Sequence, residues 1–188
     1  MVATRVKLTL AEYLTYDDGT DNRYELVDGE LVLMPPPTHL HRRIAQLLER
    51  FFQAEIQRLN HQWETGRGDV GVSTQNSRRN ITRIPDVVVF DRAEIDSPTG
   101  VAILTLPPRL VVEVVSPGDA NRKRDYEQKP REYQRMGIPE YWIVDPEHRV
   151  IITLILFDGL YEETEYRDVE VIASETFPEL SLTAAQIF

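Results

Sequence analysis

Two strand-like stretches of the sequence read Ile84-Pro85-Asp86-Val87-Val88-Val89-Phe90 and Leu110-Val111-Val112-Glu113-Val114-Val115-Ser116. Each stretch is apolar and rich in β-branched residues, except for one acidic residue. A carboxylate buried without a partner among such side chains loses its hydration at a large cost in free energy. Asp86 and Glu113 therefore need a cationic partner, and a divalent metal ion in that role would indicate an enzyme that acts on phosphodiesters.

The composition is typical of one soluble globular domain. The chain has 188 residues, of which 41% are hydrophobic and 28% are charged, and this predicts a single domain over residues 1–188. There is no cysteine, which excludes disulfides, thiolate metal sites and a cysteine nucleophile, so a metal ion would have oxygen ligands. Since no stretch has the apolar length of a signal sequence or a membrane span, we expect a cytoplasmic protein without a membrane partner.

The net charge of −10 is unevenly distributed along the chain. Residues 1–38 sum to −4, residues 39–139 to +3 and residues 140–188 to −9. An acidic protein repels nucleic acid at long range, but the middle third, which carries both Asp86 and Glu113, is net positive. The acidic final third is expected to be a solvated side far from any nucleic-acid partner.

Local patterns predict a mixed α/β domain. A short helix follows Thr9 as its cap, and residues 24–27 and 30–34 form a hairpin around Asp28-Gly29. A long amphipathic helix follows the candidate cap Thr38 and packs one face on a sheet. Three strands are predicted at residues 70–74, 84–90 and 110–116, then a polar helix over about residues 121–136 that ends at Gly137. Paired strands at residues 141–144 and 151–157, a strand at 161–166 and a closing segment near Ala184 complete the chain.

The acidic pair belongs to a wider motif. Pro85-Asp86 and the segment Glu113-Val114-Val115, 27 positions later, resemble the PD-(D/E)XK signature of metal-dependent nucleases, although Val115 stands where that superfamily usually has lysine. Further matches lie at residues 24–31, at His41, at residues 112–117, at Lys129 with Tyr133, and at residues 137–146. Together they resemble the Uma-two-type restriction endonuclease family over almost the whole chain. The resemblance implies an α/β restriction-endonuclease-like fold, with a mixed β-sheet flanked by helices.

The resemblance also implies a catalytic site. Asp86 and Glu113 would bind Mg²⁺ or Mn²⁺, and Lys129, moved from the strand to the following helix, would position or help to deprotonate the attacking water. Lys129 and Tyr133 share one face of a regular helix. Pro130 directly follows Lys129, so either the helix kinks there or a new turn begins, and either outcome would re-aim the lysine. Lys123 is the alternative lysine.

Each candidate also has a structural interpretation. Asp86 could cap a loop, Lys129 could be a solvated helix lysine, and His41 could bond a helix terminus rather than act in the site. Glu25 could either pair with an arginine or serve as a further metal-shell or water-orienting acid. The aromatic pair Tyr141-Trp142 is expected in the core rather than as a base-stacking platform. Five arginines are candidate phosphate contacts or simply solvated side chains: Arg42, Arg43, Arg78, Arg79 and Arg83.

The sequence therefore predicts a metal-dependent nuclease that hydrolyses DNA, with a homodimer implied by analogy with small nucleases of this fold. Val115, Pro130 and the negative net charge favour an alternative, a nuclease-fold binding or assembly module with little or no catalysis. A hydrolase of RNA or of another phosphoester is a third interpretation. The position of the Asp86 and Glu113 carboxylates and of the Lys129 amine is expected to discriminate among them.

Overall fold

The computed structural model describes residues 7–73, 80–95 and 102–188. The helices are α1 (Leu10–Leu14), α2 (His39–Leu59), α3 (Asp119–Lys123), α4 (Lys129–Met136) and α5 (Ala184–Ile187), with a π-helical turn at Arg124–Gln128 and a 3₁₀ turn at Arg92–Glu94. The strands are β1 (Arg23–Val27), β2 (Glu30–Met34), β3 (Trp63–Gly66), β4 (Gly71–Ser73), β5 (Thr82–Arg83), β6 (Val87–Asp91), β7 (Ile103–Leu104), β8 (Leu110–Val114), β9 (Glu140–Asp145), β10 (Val150–Phe157) and β11 (Leu160–Tyr166). In the described part of the chain, no helix combines the length and apolarity that crossing a membrane requires.

The strands form two mixed sheets. The larger sheet has six strands in the order β11-β10-β9-β8-β6-β3, and the smaller has five in the order β2-β1-β5-β4-β7. Within the larger sheet β8 and β9 run parallel, while β6 pairs with β8 in the antiparallel direction. These mixed sheets with flanking helices confirm the predicted fold class.

Local sequence signals account for the first half of the fold. The β1–β2 hairpin turns at Asp28 and Gly29, whose φ angles of 52° and 84° are those of the tight turn that Asp-Gly favours. The hydroxyl of Thr9 accepts a hydrogen bond from the Glu12 amide and caps α1. Thr38 caps α2 in the same way by accepting from the amide of His41. The predictions for these three elements are confirmed.

The larger sheet carries an apolar cluster on each face. α2 covers one face with its buried residues Ile44, Leu48 and Phe52. α4 and the smaller sheet cover the other face, where Tyr133 packs in the same cluster as Val88 and Val111. Every residue of β8 is buried, because the strand lies between these two layers. Tyr141 and Trp142 of the adjacent strand are fully buried, which confirms their assignment to the core.

The stretch at residues 84–90 differs from its prediction as one continuous strand. Thr82 and Arg83 belong to the smaller sheet, Val87–Asp91 belong to the larger one, and Ile84, Pro85 and Asp86 link the two sheets. Pro85 has no N–H to donate to a strand ladder, so the chain changes sheets at that point. Asp86 therefore precedes its strand. The strand predicted at residues 70–74 is confirmed for Gly71–Ser73, whereas Thr74 lies outside the described residues.

The helix predicted over residues 121–136 has three parts. α3 and α4 are joined by the π-helical turn, and Gly137, with φ 74°, ends α4 in the left-handed conformation. In the turn, the amide of Lys129 donates to the carbonyl of Arg124, five residues earlier. Pro130 thus lies in the first turn of α4, where a missing N–H is tolerated. The α-helical segment that contains the proline begins at Lys129, one residue before the position at which the sequence predicted a new turn.

Candidate active site

The register of two strands brings Asp86 beside Glu113. Val87 pairs with Val112 and Val88 with Val111, so continuing the register by one position places Asp86 opposite Glu113. Residues opposite each other in an antiparallel pair point to the same face of a sheet. Asp86 is tied to the same strand by its Oδ2, which accepts a hydrogen bond of 2.7 Å from the amide of Val114. The two sequence-predicted acids therefore meet at one end of the β6–β8 pair.

Glu113 is buried and has a donor on each carboxylate oxygen. Oε2 lies 2.8 Å from the Lys129 Nζ, and Oε1 accepts a hydrogen bond of 2.6 Å from the Tyr133 hydroxyl. Burial raises the pKa of Glu113, Lys129 opposes that rise and the negative charge of Asp86 adds to it, so that the pKa lies at about 7. The buried carboxyl group of Glu113 therefore holds a proton more readily than an exposed glutamate does.

Lys129 reaches the strand acids from the first turn of α4. Its side chain is 7% exposed, and its Nζ lies 3.6 Å from Asp125 Oδ1 as well as 2.8 Å from Glu113. Burial alone would lower the pKa of Lys129, but the carboxylates of Glu113, Glu25, Asp125 and Asp86 raise it. The side chain is therefore an ammonium group held among acids. Lys123, the alternative lysine, is exposed at the end of α3.

His41 contacts Asp86 from the first turn of α2. Its Nε2 lies 2.7 Å from Asp86 Oδ1. Burial would lower the pKa of His41, but Asp86 raises it above its ordinary value, so the contact favours an imidazolium paired with a carboxylate. The same pairing lowers the pKa of Asp86 against the effect of burial. His41 thus lies beside Asp86 in the candidate site. The sequence had allowed either this position or a bond to a helix terminus.

Glu25 and Arg83 form a second, buried layer. Arg83 Nη1 lies 2.8 Å from Glu25 Oε2, and its Nε and Nη2 bind both carboxylate oxygens of Glu132 on α4. Glu25 Oε1 also accepts from the amide of Ile84. Arg83 is 1% exposed, so the sequence prediction of a phosphate contact at this residue is wrong. The arginine pairing that the sequence offered for Glu25 is confirmed, and Glu25 still acts electrostatically on Lys129.

The remaining arginine candidates are divided between the surface and the undescribed segments. Arg42 and Arg43 are exposed next to His41 at the start of α2. Arg78 and Arg79 lie outside the described residues. The sequence interpretation missed Asp125, and it named Tyr133 only as a neighbour of Lys129 on one helix face, without a role for its hydroxyl. The spacing of Asp125 four residues before Lys129 was the available signal, since an acid and a lysine at that separation meet on a helix.

The side chains at the site fit a magnesium-type ion that takes only two carboxylate ligands from the protein. The described residues contain no group of three or more His, Cys, Asp or Glu side chains arranged to hold a metal ion. Mg²⁺ commonly takes one or two carboxylates and completes its shell with water and substrate phosphate. Asp86 and Glu113 supply such a pair, and a bound cation would stabilise the charged form of Glu113, which burial disfavours. The Asp86 side chain is 22% exposed, so this member of the pair is accessible from solvent, whereas Glu113 is buried.

Comparisons with known proteins agree on the fold and on the family. The model of the family Uma2, described as "Putative restriction endonuclease", matches residues 10–185. The crystal structure of a "putative nuclease belonging to DUF820" from Anabaena variabilis ATCC 29413 superposes with a TM-score of 0.75 at 17% sequence identity, over 96% of this chain and 97% of that one. Comparison with curated proteins finds no match.

Proposed function

The chain belongs to the Uma2 family of restriction-endonuclease-like proteins, and on that premise we propose that it is a divalent-metal-dependent nuclease that hydrolyses DNA phosphodiester bonds. One observation carries the proposal. A lysine ammonium lies 2.8 Å from a buried glutamate whose neighbour across the strand pair is an aspartate. Two acids with one lysine are the groups that a metal-assisted attack on a phosphodiester requires.

Asp86 and Glu113 would hold Mg²⁺ or Mn²⁺. When bound, the metal supplies a water of lowered pKa and neutralises charge on the phosphate in the transition state. The chain fixes both acids before any substrate arrives, since the Val114 amide and His41 orient Asp86, and Tyr133 and Lys129 orient Glu113. Such preorganisation reduces the rearrangement that the reaction needs.

Lys129 acts in this proposal as a positioning cation. Its ammonium group has three N–H donors, and a donor beside Glu113 can hold a non-bridging phosphate oxygen or the attacking water. The surrounding carboxylates favour the charged form of Lys129, so it donates hydrogen bonds rather than accepting a proton. The proton of the attacking water would pass to solvent or to a phosphate oxygen of the substrate, because the Asp86 side chain at the site is 22% exposed.

Cleavage of plasmid and single-stranded DNA with Mg²⁺ or Mn²⁺ tests the proposal. Wild type is compared with Glu113→Gln, Asp86→Asn and Lys129→Gln, and Glu163→Gln on the exposed strand β11 is the matched control. We expect metal-dependent cleavage by wild type and the control, and a loss of about a hundredfold or more in each site variant. Unchanged cleavage by Glu113→Gln would exclude the mechanism.

One observation favours a second candidate, a nuclease-fold binding module without catalysis. All four carboxylate oxygens of Asp86 and Glu113 already have a partner within the chain. In a module these contacts would serve stability alone. Binding of DNA without cleavage under any metal condition supports the module, whereas metal-dependent cleavage confined to RNA would redirect the proposal to a ribonuclease.

A further inference from the structure

A buried acid that the proposed chemistry does not use lies next to the lysine. Asp125 is 1% exposed and belongs to the π-helical turn that precedes Lys129. Its Oδ1 lies 3.6 Å from the Lys129 Nζ and 2.8 Å from the Arg124 Nε. Burying a carboxylate is costly unless its contacts are fixed and charged, so its place between two cations points to a defined role.

We propose that Asp125 is a positioning residue, which holds the ammonium group of Lys129 against Glu113 at the site. This inference rests on the proposed function, because Lys129 is its functional group. At 3.6 Å the contact is electrostatic rather than a hydrogen bond. Asp125 therefore restrains the position of the ammonium group and leaves its N–H donors to Glu113 and to a substrate oxygen.

Asp125 lies in the π-helical turn, and this turn sets the position of its side chain. The amide of Lys129 bonds to the carbonyl of Arg124, so the turn contains one residue more than an α-helical turn. The same turn is followed directly by α4, in whose first turn the missing N–H of Pro130 is tolerated. Pro130 therefore does not turn the Lys129 side chain away from the site. The π-helical turn before it contains Asp125, whose carboxylate lies near the Lys129 ammonium group.

Asp125 also links the helix to the strand that carries Glu113. Its Oδ2 accepts a hydrogen bond of 3.3 Å from the amide of Ser116, which follows β8. The hydroxyl of Tyr141, in the parallel neighbour β9, donates to the backbone carbonyl of Asp125. The carboxylate thereby fixes the distance between the lysine-bearing helix and the glutamate-bearing strand.

A double-mutant cycle on cleavage tests this role. We expect Asp125→Asn to lower the rate at saturating DNA and metal on the order of tenfold or more, with the KM for DNA within about twofold. Asp125→Glu, which keeps the charge, should recover part of the rate, and Asp119→Asn, exposed on α3, should change nothing. In a Lys129→Gln background, Asp125→Asn should cost nothing further, because it acts through the lysine. Equal losses in both backgrounds would show a purely structural role.

A second measurement does not depend on activity. The sequence has three lysines, Lys7, Lys123 and Lys129, so the ammonium signals of ¹⁵N-lysine protein can be assigned with Lys7→Arg and Lys123→Arg. We expect the Lys129 ammonium protons to exchange slowly with water in wild type and markedly faster in Asp125→Asn, with Asp119→Asn unchanged. An unchanged Lys129 signal in Asp125→Asn overturns the inference.

The two measurements separate this inference from the proposed function. If wild type cleaves no nucleic acid but the Lys129 signal responds to Asp125→Asn, the nuclease proposal fails while Asp125 still positions the lysine. If wild type cleaves DNA and Asp125→Asn leaves both the rate and the signal unchanged, the nuclease proposal stands and the role of Asp125 is wrong.

Discussion

Glu113 gains its orientation from two side chains on one helix face. Lys129 and Tyr133, four residues apart on α4, bind its two carboxylate oxygens separately. The hydroxyl of Tyr133 is fully buried, and its bond of 2.6 Å joins helix and strand. A buried hydrogen bond to an acid contributes more to stability than an exposed one, because water cannot replace the lost partner.

Removal of the Tyr133 hydroxyl therefore has a measurable cost. We expect Tyr133→Phe to lower the free energy of unfolding by about 2 kcal/mol, the range for a hydrogen bond to a charged group. Urea denaturation followed by circular dichroism measures it. Tyr16→Phe, at a ring that is 44% exposed, should change it by less than about 0.5 kcal/mol. Equal small effects in both variants would mean that the Tyr133 bond adds nothing to stability.

Some residue positions could be predicted from neighbouring sequence and others could not. Valines on both sides of Glu113 indicated its burial, and the structure leaves Glu113 2% exposed. Arg83 gave no such signal, because its partners Glu25 and Glu132 lie 58 and 49 residues away in the chain. A loop arginine and a buried arginine look alike until the tertiary partners are known.

The π-helical turn is the element on which the lysine depends. In an uninterrupted α-helix Pro130 would remove one hydrogen bond and clash with the preceding turn. In this chain it lies in the first turn of α4, after the wider turn at Arg124–Gln128. The sequence indicated a break at this point, but not its kind, because a kink and a π-helical turn share the same proline signal.

A pair of proline variants distinguishes tolerated from disruptive positions. We expect Pro130→Ala to change the free energy of unfolding by no more than about 1 kcal/mol, since the ring occupies a compatible position. Arg135→Pro, at an exposed position within the same helix, should lower it by about 3 kcal/mol. Thermal and urea unfolding report both values. A large stabilisation by Pro130→Ala would reveal strain at the proline that the first-turn position does not predict.

Local elements were predictable where their signals lie within a few residues. The Asp-Gly hairpin and the Thr38-capped helix have their signals within the element. The short strand β3 lacks such a signal, because it is defined by pairing with β6, more than twenty residues later. The division of residues 84–90 between two sheets likewise depends on partners far along the chain.

Asp145 is the last residue of β9, and its side chain joins this strand to the α3 region. Its fully buried carboxylate accepts from the Tyr126 hydroxyl at 2.7 Å and lies 2.8 Å from Arg122 Nη2. Burial would raise the pKa of Asp145, but the hydrogen bonds from Tyr126 and from the amide of His148, with the charge of Arg122, lower it below its ordinary value. The lowered pKa therefore contributes stability that is fully present above the ordinary pKa of aspartate and is lost as the pH falls towards the lowered pKa.

The pH dependence of stability follows from that lowered pKa. Asp145→Asn should lower the free energy of unfolding by about 2 kcal/mol at pH 7, since it removes a buried carboxylate that accepts a hydrogen bond from Tyr126 and pairs with the partly exposed Arg122. The difference from wild type should persist above pH 4, near the ordinary pKa of aspartate, and shrink as the pH falls below it. Urea denaturation at pH 7 and pH 3 tests this, with Asp158→Asn at an exposed turn as the control. A difference independent of pH would exclude the charge as its cause.

At the scale of the whole molecule, the net charge differs most between the middle and the final third of the chain. Residues 140–188 sum to −9 and supply β11, an edge strand that carries Glu162, Glu163 and Glu165. Charges on an edge strand oppose pairing with another chain. Residues 39–139 sum to +3 and include Asp86, Glu113 and the start of α2. Under the proposed function, DNA meets less electrostatic repulsion at residues 39–139 than at β11.

Arg42 and Arg43 are exposed arginines that lie beside the candidate site. Both are exposed, and they follow His41, whose imidazole contacts Asp86. In a Glu113→Gln background that prevents cleavage, Arg42→Gln with Arg43→Gln should weaken DNA binding to a similar degree for all sequences. The slope of log K against log salt should fall in magnitude by about 2, because each lost phosphate contact removes about one unit. Arg149→Gln, in the acidic third, should leave affinity and slope unchanged. Fluorescence anisotropy between low and moderate salt measures both, and an unchanged slope in the double variant would place the phosphate contacts elsewhere.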